Sequence, residues 1–179
     1  MSRLPPPAGR AGTTYRILLV CLGNICRSPM AEVVLDARVR AAGLGDRVAV
    51  ESAGTGGWHV GGPMDERAAA ALTAAGYDAS RHLARQLDPS WFDRVEGFDA
   101  VLVMDSANRA DVAAMRPEDD GRLLMFRDLD PLASSDDRDV PDPYYGEDDG
   151  FERVLAIIER TVDAIVEDLA QVASTRRVG

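Results

Sequence analysis

The chain has 179 residues, enough for one domain with a substantial core, and a globular composition of 46% hydrophobic and 28% charged residues. Its formal net charge of −10 argues against a nucleic-acid binder or a protein drawn to anionic lipid, and no apolar run has the roughly 18 residues of a membrane span. Two cysteines cannot build a disulfide framework, and with two histidines they make a poor structural zinc set.

The opening stretch, "MSRLPPPAGRAGTTY", lacks the apolar segment of a secretory signal. Residues 1–14 read as a flexible tail, and a cytoplasmic location is expected. Apolar runs then recur at Arg16–Val20, Val48–Glu51, Ala100–Met104 and Leu123–Phe126. Short, nearly continuous runs of this kind suit strands buried on both faces of a parallel sheet.

Helical patterns fill the gaps. Pro29–Ala42 is predicted to open with Ser28 as N-cap and proline at the first position, and to stop at Gly43. Asp65–Ala75 is alanine-rich and ends at Gly76. Ser106–Met115 is limited by Pro117, and a short helix fits near Pro89–Arg94. Phe151–Val172 is the longest, with Phe151, Val154, Leu155, Ile158, Val162, Ile165 and Leu169 at helical spacing. Strands alternating with helices predict a single three-layer α/β domain over 15–173, followed by a tail at 174–179. From Asp128 to Glu152 there are ten acidic residues and one basic residue, Arg138, which reads as a solvated acidic loop.

The most informative stretch is "CLGNICRSP", between the first strand and the first helix. A loop entering a helix N-terminus directs several backbone N–H groups at one spot, and the helix dipole adds partial positive charge. Gly23 and Asn24 are the residues best able to take left-handed conformations in a tight anion nest. Arg27 adds a planar fork for two phosphate oxygens. Cys21, at the base, has its thiolate stabilised by the same groups and by the Ser28 hydroxyl, and is placed for in-line attack on phosphorus. Expelling an alkoxide or phenolate also needs a proton donor. Asp142, stiffened between Pro141 and Pro143 in "DVPDPYYG", is a reasonable one, and Asp139 is its local rival.

"VCLGNICRSPMAE" resembles the signature of low-molecular-weight protein tyrosine phosphatases of the bacterial, actinobacterial type. "ESAGTGGWHVGGPMDERA", "HLARQL", "VLVMDSAN" and "DVPDPYYGEDDGFERV" are similar to further family blocks in family order, so the resemblance runs from about Tyr15 to Leu169. It implies a phosphotyrosine phosphatase I-like fold, a four-stranded parallel sheet of order 2-1-3-4 flanked by helices. It implies Cys21 as nucleophile, Arg27 as phosphate binder and Asp142 as general acid and then base. Leu22, Gly23, Asn24, Ile25, Cys26 and Ser28 complete the phosphate-binding P-loop. Asn24, Ser28, Ser52 and His82 hold that loop by hydrogen bonds. Trp58, His59, Tyr144 and Tyr145 form a rim deep enough for phosphotyrosine, and the tyrosines can themselves be phosphorylated in the family. By the same resemblance Cys26 forms a reversible disulfide with the nucleophile. Arg27 also invites a remote carboxylate that the sequence does not identify.

Three other readings compete with this one. A thioredoxin-linked arsenate reductase needs downstream cysteines, and none follows Cys26. An arginine phosphatase carries Thr at the position of Ile25 and a less aromatic acid loop. A binding module without turnover has no support, since every catalytic position is filled. The expected partners are phosphotyrosyl proteins, with phosphate and vanadate as competing oxyanions. No cofactor, metal, nucleic acid or membrane is implied, and a monomer with at most weak self-association is expected.

Overall fold

The computed structural model describes residues 2–9, 13–93, 97–116, 119–147 and 149–175. Four strands form one parallel sheet: β1 (Tyr15–Cys21), β2 (Val48–Gly54), β3 (Ala100–Val103) and β4 (Leu123–Met125), in the order β2-β1-β3-β4. Four helices accompany them: α1 (Arg27–Ala41), α2 (Glu66–Ala74), α3 (Ser106–Met115) and α4 (Gly150–Thr175). The fold and strand order are those expected.

Successive residues of a strand face opposite sides of the sheet, and here both sides are covered. Ile17, Leu19 and Cys21 of β1 and Ala100, Leu102 and Met104 beside them enter one core with α1, α2 and α4. Leu18, Val20, Val101 and Val103 enter the other, with Val112 of α3 and with Trp91 and Phe92 of a 3-10 turn at Pro89–Asp93. All seven apolar positions read into α4 are buried.

Several boundaries differ from those predicted, for physical reasons. β2 runs on to Gly54 because Ser52, Ala53 and Gly54 pair with Leu19, Val20 and Cys21 through the backbone, which apolar patterning does not report. α1 begins at Arg27 with Cys26 at the N-cap and no side-chain cap; the Ser28 hydroxyl, expected there, points instead at Cys21 and Asn24. Asp65 caps α2 by accepting from the Arg67 N–H, and Asp105 caps α3 by accepting from Asn108 at 2.7 Å. Gly43 and Gly76, beyond α1 and α2, take positive φ of 70° and 90°, the left-handed stop that glycine allows. Of the residues read as a C-terminal tail, 174–175 continue α4 and 176–179 lie outside the described residues, as does Arg94.

Residues 2–9, within the segment read as a tail, contact the body. Leu4 is buried, Arg3 donates to the Leu129 carbonyl at 2.8 Å, and the Asp99 carboxylate accepts from Ala8 and Arg16 N–H groups at 2.6 and 2.8 Å. Among the described residues no helix is long and apolar enough to cross a membrane.

The strand order places the site. β1 lies between β2 and β3, and α1, which leaves β1, covers the opposite face from α3, which leaves β3. The two departing chains open a crevice at the carboxyl ends of these strands, where such sheets bind ligands.

Candidate active site

Cys21 ends β1 at this crevice, and Asp105 follows β3 on its other side. Between Cys21 and α1 the loop takes one left-handed residue, Asn24, with φ of 55°. Gly23, expected to share that conformation, is not in the left-handed region. A Cβ there would come within 3.1 Å of the His59 ring, so a side chain at this position would require the imidazole to shift by a few tenths of an ångström.

Asn24 is fully buried and spends its polar atoms on the loop's shape. Its Nδ2 donates to Ser28 Oγ at 2.8 Å and Ser52 Oγ at 2.9 Å, and its Oδ1 accepts from the Arg85 N–H at 2.9 Å. Its carbonyl lies 2.7 Å from His82 Nε2. A carbonyl only accepts, so that nitrogen carries the proton. Burial holds the His82 imidazole below its ordinary range and keeps the ring neutral for this role. Ser28 Oγ accepts from Asn24, and its single proton lies between two acceptors, Cys21 Sγ at 3.0 Å and the Ala53 carbonyl at 3.4 Å, of which the sulfur is the nearer. Ser52, in turn, donates to the Glu32 carboxylate, whose pKa is raised by burial.

Arg27 is buried and reaches across the crevice. Nη1 donates to Asp105 at 2.6 Å and to the Val140 carbonyl at 3.1 Å, while Nη2 lies 3.4 Å from Asp142. Asp105 is thus the partner that the sequence left unidentified. Asp142 is less than half exposed, and it accepts from the Tyr144 N–H at 3.1 Å. Its rival Asp139 is engaged elsewhere, accepting from the N–H and hydroxyl of Ser106 at the start of α3. Val140, between the two acids, is buried and donates to the Met104 carbonyl at 2.7 Å, tying the acid loop to the end of β3.

These groups converge on a cavity of about 370 Å³. Cys21, Leu22, Gly23, Ile25, Cys26 and Arg27 form its floor, and Trp58, His59, Asp142, Tyr144 and Tyr145 its walls. Asn24, Ser28, Ser52 and His82 do not line it but support the floor from behind. The Trp58 indole lies over the backbone at Gly56, where any Cβ would collide with it. Tyr144 and Tyr145 pack edge to face, ring centres 4.8 Å apart, and Tyr145 is 92% exposed. The two cysteines are both free and buried. Burial, reinforced by the negative charges of Asp65 and Cys21, pushes the Cys26 thiol up to about 12, so it stays protonated at neutral pH.

Sequence reasoning missed three contributors. Glu32 and Arg85 stand in quoted stretches but look like ordinary surface charges. Gly54 looks like a strand end, yet a Cβ there would lie 2.6 Å from the Leu22 carbonyl and 3.0 Å from the Asn24 nitrogen. A glycine closing the strand beside the loop was the available signal.

The profile of the family described as low molecular weight phosphotyrosine protein phosphatase matches residues 16–175. The chain is 47% identical over 148 residues to a low molecular weight protein-tyrosine-phosphatase of Streptomyces coelicolor, covering 82% of this chain and 88% of that protein. The crystal structure of YfkJ from Bacillus subtilis superposes with a TM-score of 0.80 at 34% identity, covering 91% of this chain and 98% of that one. Vibrio vulnificus Wzb, solved in complex with benzylphosphonate, superposes with a TM-score of 0.71 at 26% identity over 86% of this chain and 97% of that one. On sequence and fold together, the chain belongs to the low molecular weight protein-tyrosine phosphatases, a family of hydrolases.

Proposed function

We propose that the protein hydrolyses phosphotyrosine, and small aryl phosphates, through a cysteinyl-phosphate intermediate. The observation that carries this reading is the convergence of Cys21, Arg27 and Asp142 on one cavity. A phosphoryl group seated on the loop meets the amides of the first turn of α1, which have no intrahelical acceptor, and the Arg27 fork. Asp105 fixes that fork from behind, so it is oriented before substrate arrives.

Cys21 Sγ attacks phosphorus as the P–O bond to the tyrosyl oxygen breaks, and Asp142 transfers its proton to the departing oxygen. Asp142, now a carboxylate, takes a proton from water, the resulting hydroxide attacks phosphorus, the P–S bond breaks, and phosphate leaves with the thiolate restored. The Ser28 hydroxyl, 3.0 Å from Cys21 Sγ, is within reach to donate to that thiolate before the attack and after its release. Cys26, held protonated, is unsuited to serve as nucleophile.

The aromatic walls set the depth of the site. A phenyl ring fits between Trp58 and His59 on one side and Tyr144 and Tyr145 on the other, while a shorter phosphoserine leaves its phosphoryl group above the nucleophile. Ile25 presents a hydrocarbon surface suited to a ring. Phosphate and vanadate compete for the same amides; the phosphonate held by the Vibrio vulnificus protein is chemically of this class.

The test offers the purified protein a phosphotyrosyl peptide, an aryl phosphate, a phosphoarginyl protein, and arsenate with thioredoxin. The expected result is a burst of phenol from the aryl phosphate. It disappears in Cys21→Ser, and turnover falls by about a hundredfold or more in Asp142→Ala. Turnover of arsenate alone, or of phosphoarginine in preference to phosphotyrosine, would overturn the proposal.

A further inference from the structure

Arg67 stands outside the cavity yet touches both of its sides. Asp65, just before α2, donates its backbone N–H to the Ile25 carbonyl of the phosphate loop at 2.9 Å. The Arg67 guanidinium closes back on the Asp65 carboxylate through Nε at 3.1 Å and Nη2 at 2.9 Å. Its remaining nitrogen, Nη1, donates to the Tyr144 carbonyl at 3.1 Å. The guanidinium also lies over two aromatic faces, 5.4 Å from the Tyr144 ring centre and 4.8 Å from that of Phe151 at the start of α4. Tyr144 donates its own N–H to Asp142. An unbroken series of contacts therefore runs from Ile25 through Asp65, Arg67 and Tyr144 to Asp142.

From this we infer that Arg67 is a positioning residue, a clamp that holds the Asp142–Tyr145 turn in register with the phosphate loop. The inference rests on the proposed phosphatase reaction. Within the turn Pro143 is buried and Tyr144 rests against the core, but the acid and the outer ring have less support: Tyr145 is almost wholly exposed and Asp142 is partly so. Upstream it is fastened at Val140 and downstream at α4, which leaves the segment bearing the acid and the aromatic wall spanning the interval. As a surface ion pair alone, Asp65–Arg67 would contribute little. Its effect lies in geometry, because one planar fork satisfies a carboxylate and a carbonyl while stacking on two rings, which an ammonium cannot reproduce. The Asp65 carboxyl reflects the pairing: burial pushes it up, but the Arg67 guanidinium and amide bonds outweigh that and hold it below its ordinary range.

The experiment compares leaving groups. Nitrophenolate departs without much help, whereas the phenolate of phosphotyrosine needs the proton of Asp142. In Arg67→Ala, kcat/KM should fall by about tenfold for a phosphotyrosyl peptide and by less than about threefold for p-nitrophenyl phosphate, with the inhibition constant of inorganic phosphate within about twofold of the original. Arg67→Lys should resemble Arg67→Ala, and Asp65→Asn, which keeps a good N-cap, should show the same pattern more weakly. If Arg67→Ala does not fold, the other two variants carry the same comparison. Equal losses on both substrates with weaker phosphate inhibition, full activity in Arg67→Lys, or no loss at all would overturn the clamp. A parent enzyme that turns over phosphotyrosine while the variants match it defeats the clamp alone; a parent that does not turn it over defeats the underlying reaction.

Discussion

Gly54 illustrates how much of this site depends on single atoms. The end of β2 passes so close to the phosphate loop that one added methyl group would meet three of the loop's backbone atoms. Backbone cannot yield as a flexible side chain can, so the loop itself would have to move. Gly54→Ala should therefore lower kcat/KM for an aryl phosphate by about a hundredfold, the cost of misplacing reacting groups by roughly an ångström. Weaker inhibition by phosphate should accompany the loss, with the far-UV spectrum preserved; activity within twofold of the parent would show that the loop tolerates the displacement. The sequence made the local half of this chemistry legible. Cys21, Arg27 and Ser28 lie within one string, and helix-terminus physics alone explains their grouping. What it could not show were partners distant along the chain: Asp105 behind Arg27, Glu32 behind Ser52, and the Arg85 amide on Asn24. The Ser28 expectation went astray for a related reason. Capping statistics describe a serine with nothing better to bind, and this one has Cys21 and Asn24.

At the level of elements, the acid loop is anchored by a buried ion cluster. Asp130, just after the 3-10 turn at Phe126–Leu129, has a fully buried carboxylate. It accepts from Arg160 of α4 at 2.7 and 2.8 Å and from Arg127 at 3.2 Å, and Arg127 continues to the Asp139 carbonyl at 3.1 Å. Burial raises the Asp130 carboxyl, but hydrogen bonds from Arg160, the Leu132 N–H and Arg127 overcome it and hold the group at about 2, against 3.8 when unfolded. A folded-state value below the unfolded one contributes stability that is present above pH 3.8 and is lost as pH falls through about 2. That difference corresponds to about 2 kcal/mol. Asp130→Asn should cost roughly 3 kcal/mol at pH 7, since it takes the counter-charge from Arg160 and leaves Arg127 paired with Asp137 alone. Urea unfolding at a series of pH values should also show a flatter acid limb below pH 4; an unchanged acid limb would remove Asp130 from the account. None of this cluster was visible in the sequence, where Asp130 is one acid among ten. The helix that carries Arg160 was, because its apolar spacing records which face is buried; the 3-10 turn bearing Arg127, whose Phe126 reads as the end of a strand, and the backbone pairing at the end of β2 escaped that record.

The whole molecule presents a further tension: a chain of net charge −10 is proposed to bind an anion. Locally Arg27 and the loop amides prevail, but at longer range the acidic surface opposes a dianionic substrate. Salt screens the distant charges more than the buried ones. For a small aryl phosphate, kcat/KM should therefore rise, by about two- to fivefold, as ionic strength increases from 10 to 150 mM. For a phosphotyrosyl peptide flanked by arginines it should fall. The same slope for both substrates would show that net charge does not steer association.

Asn24 has one more consequence. Every polar atom of its side chain is committed to protein partners, and its left-handed backbone is secured by His82. A loop fixed in this way surrenders little conformational entropy when an oxyanion arrives. Calorimetry of vanadate or phosphate binding should then register mainly dehydration and charge pairing, with scarcely any contribution from chain ordering.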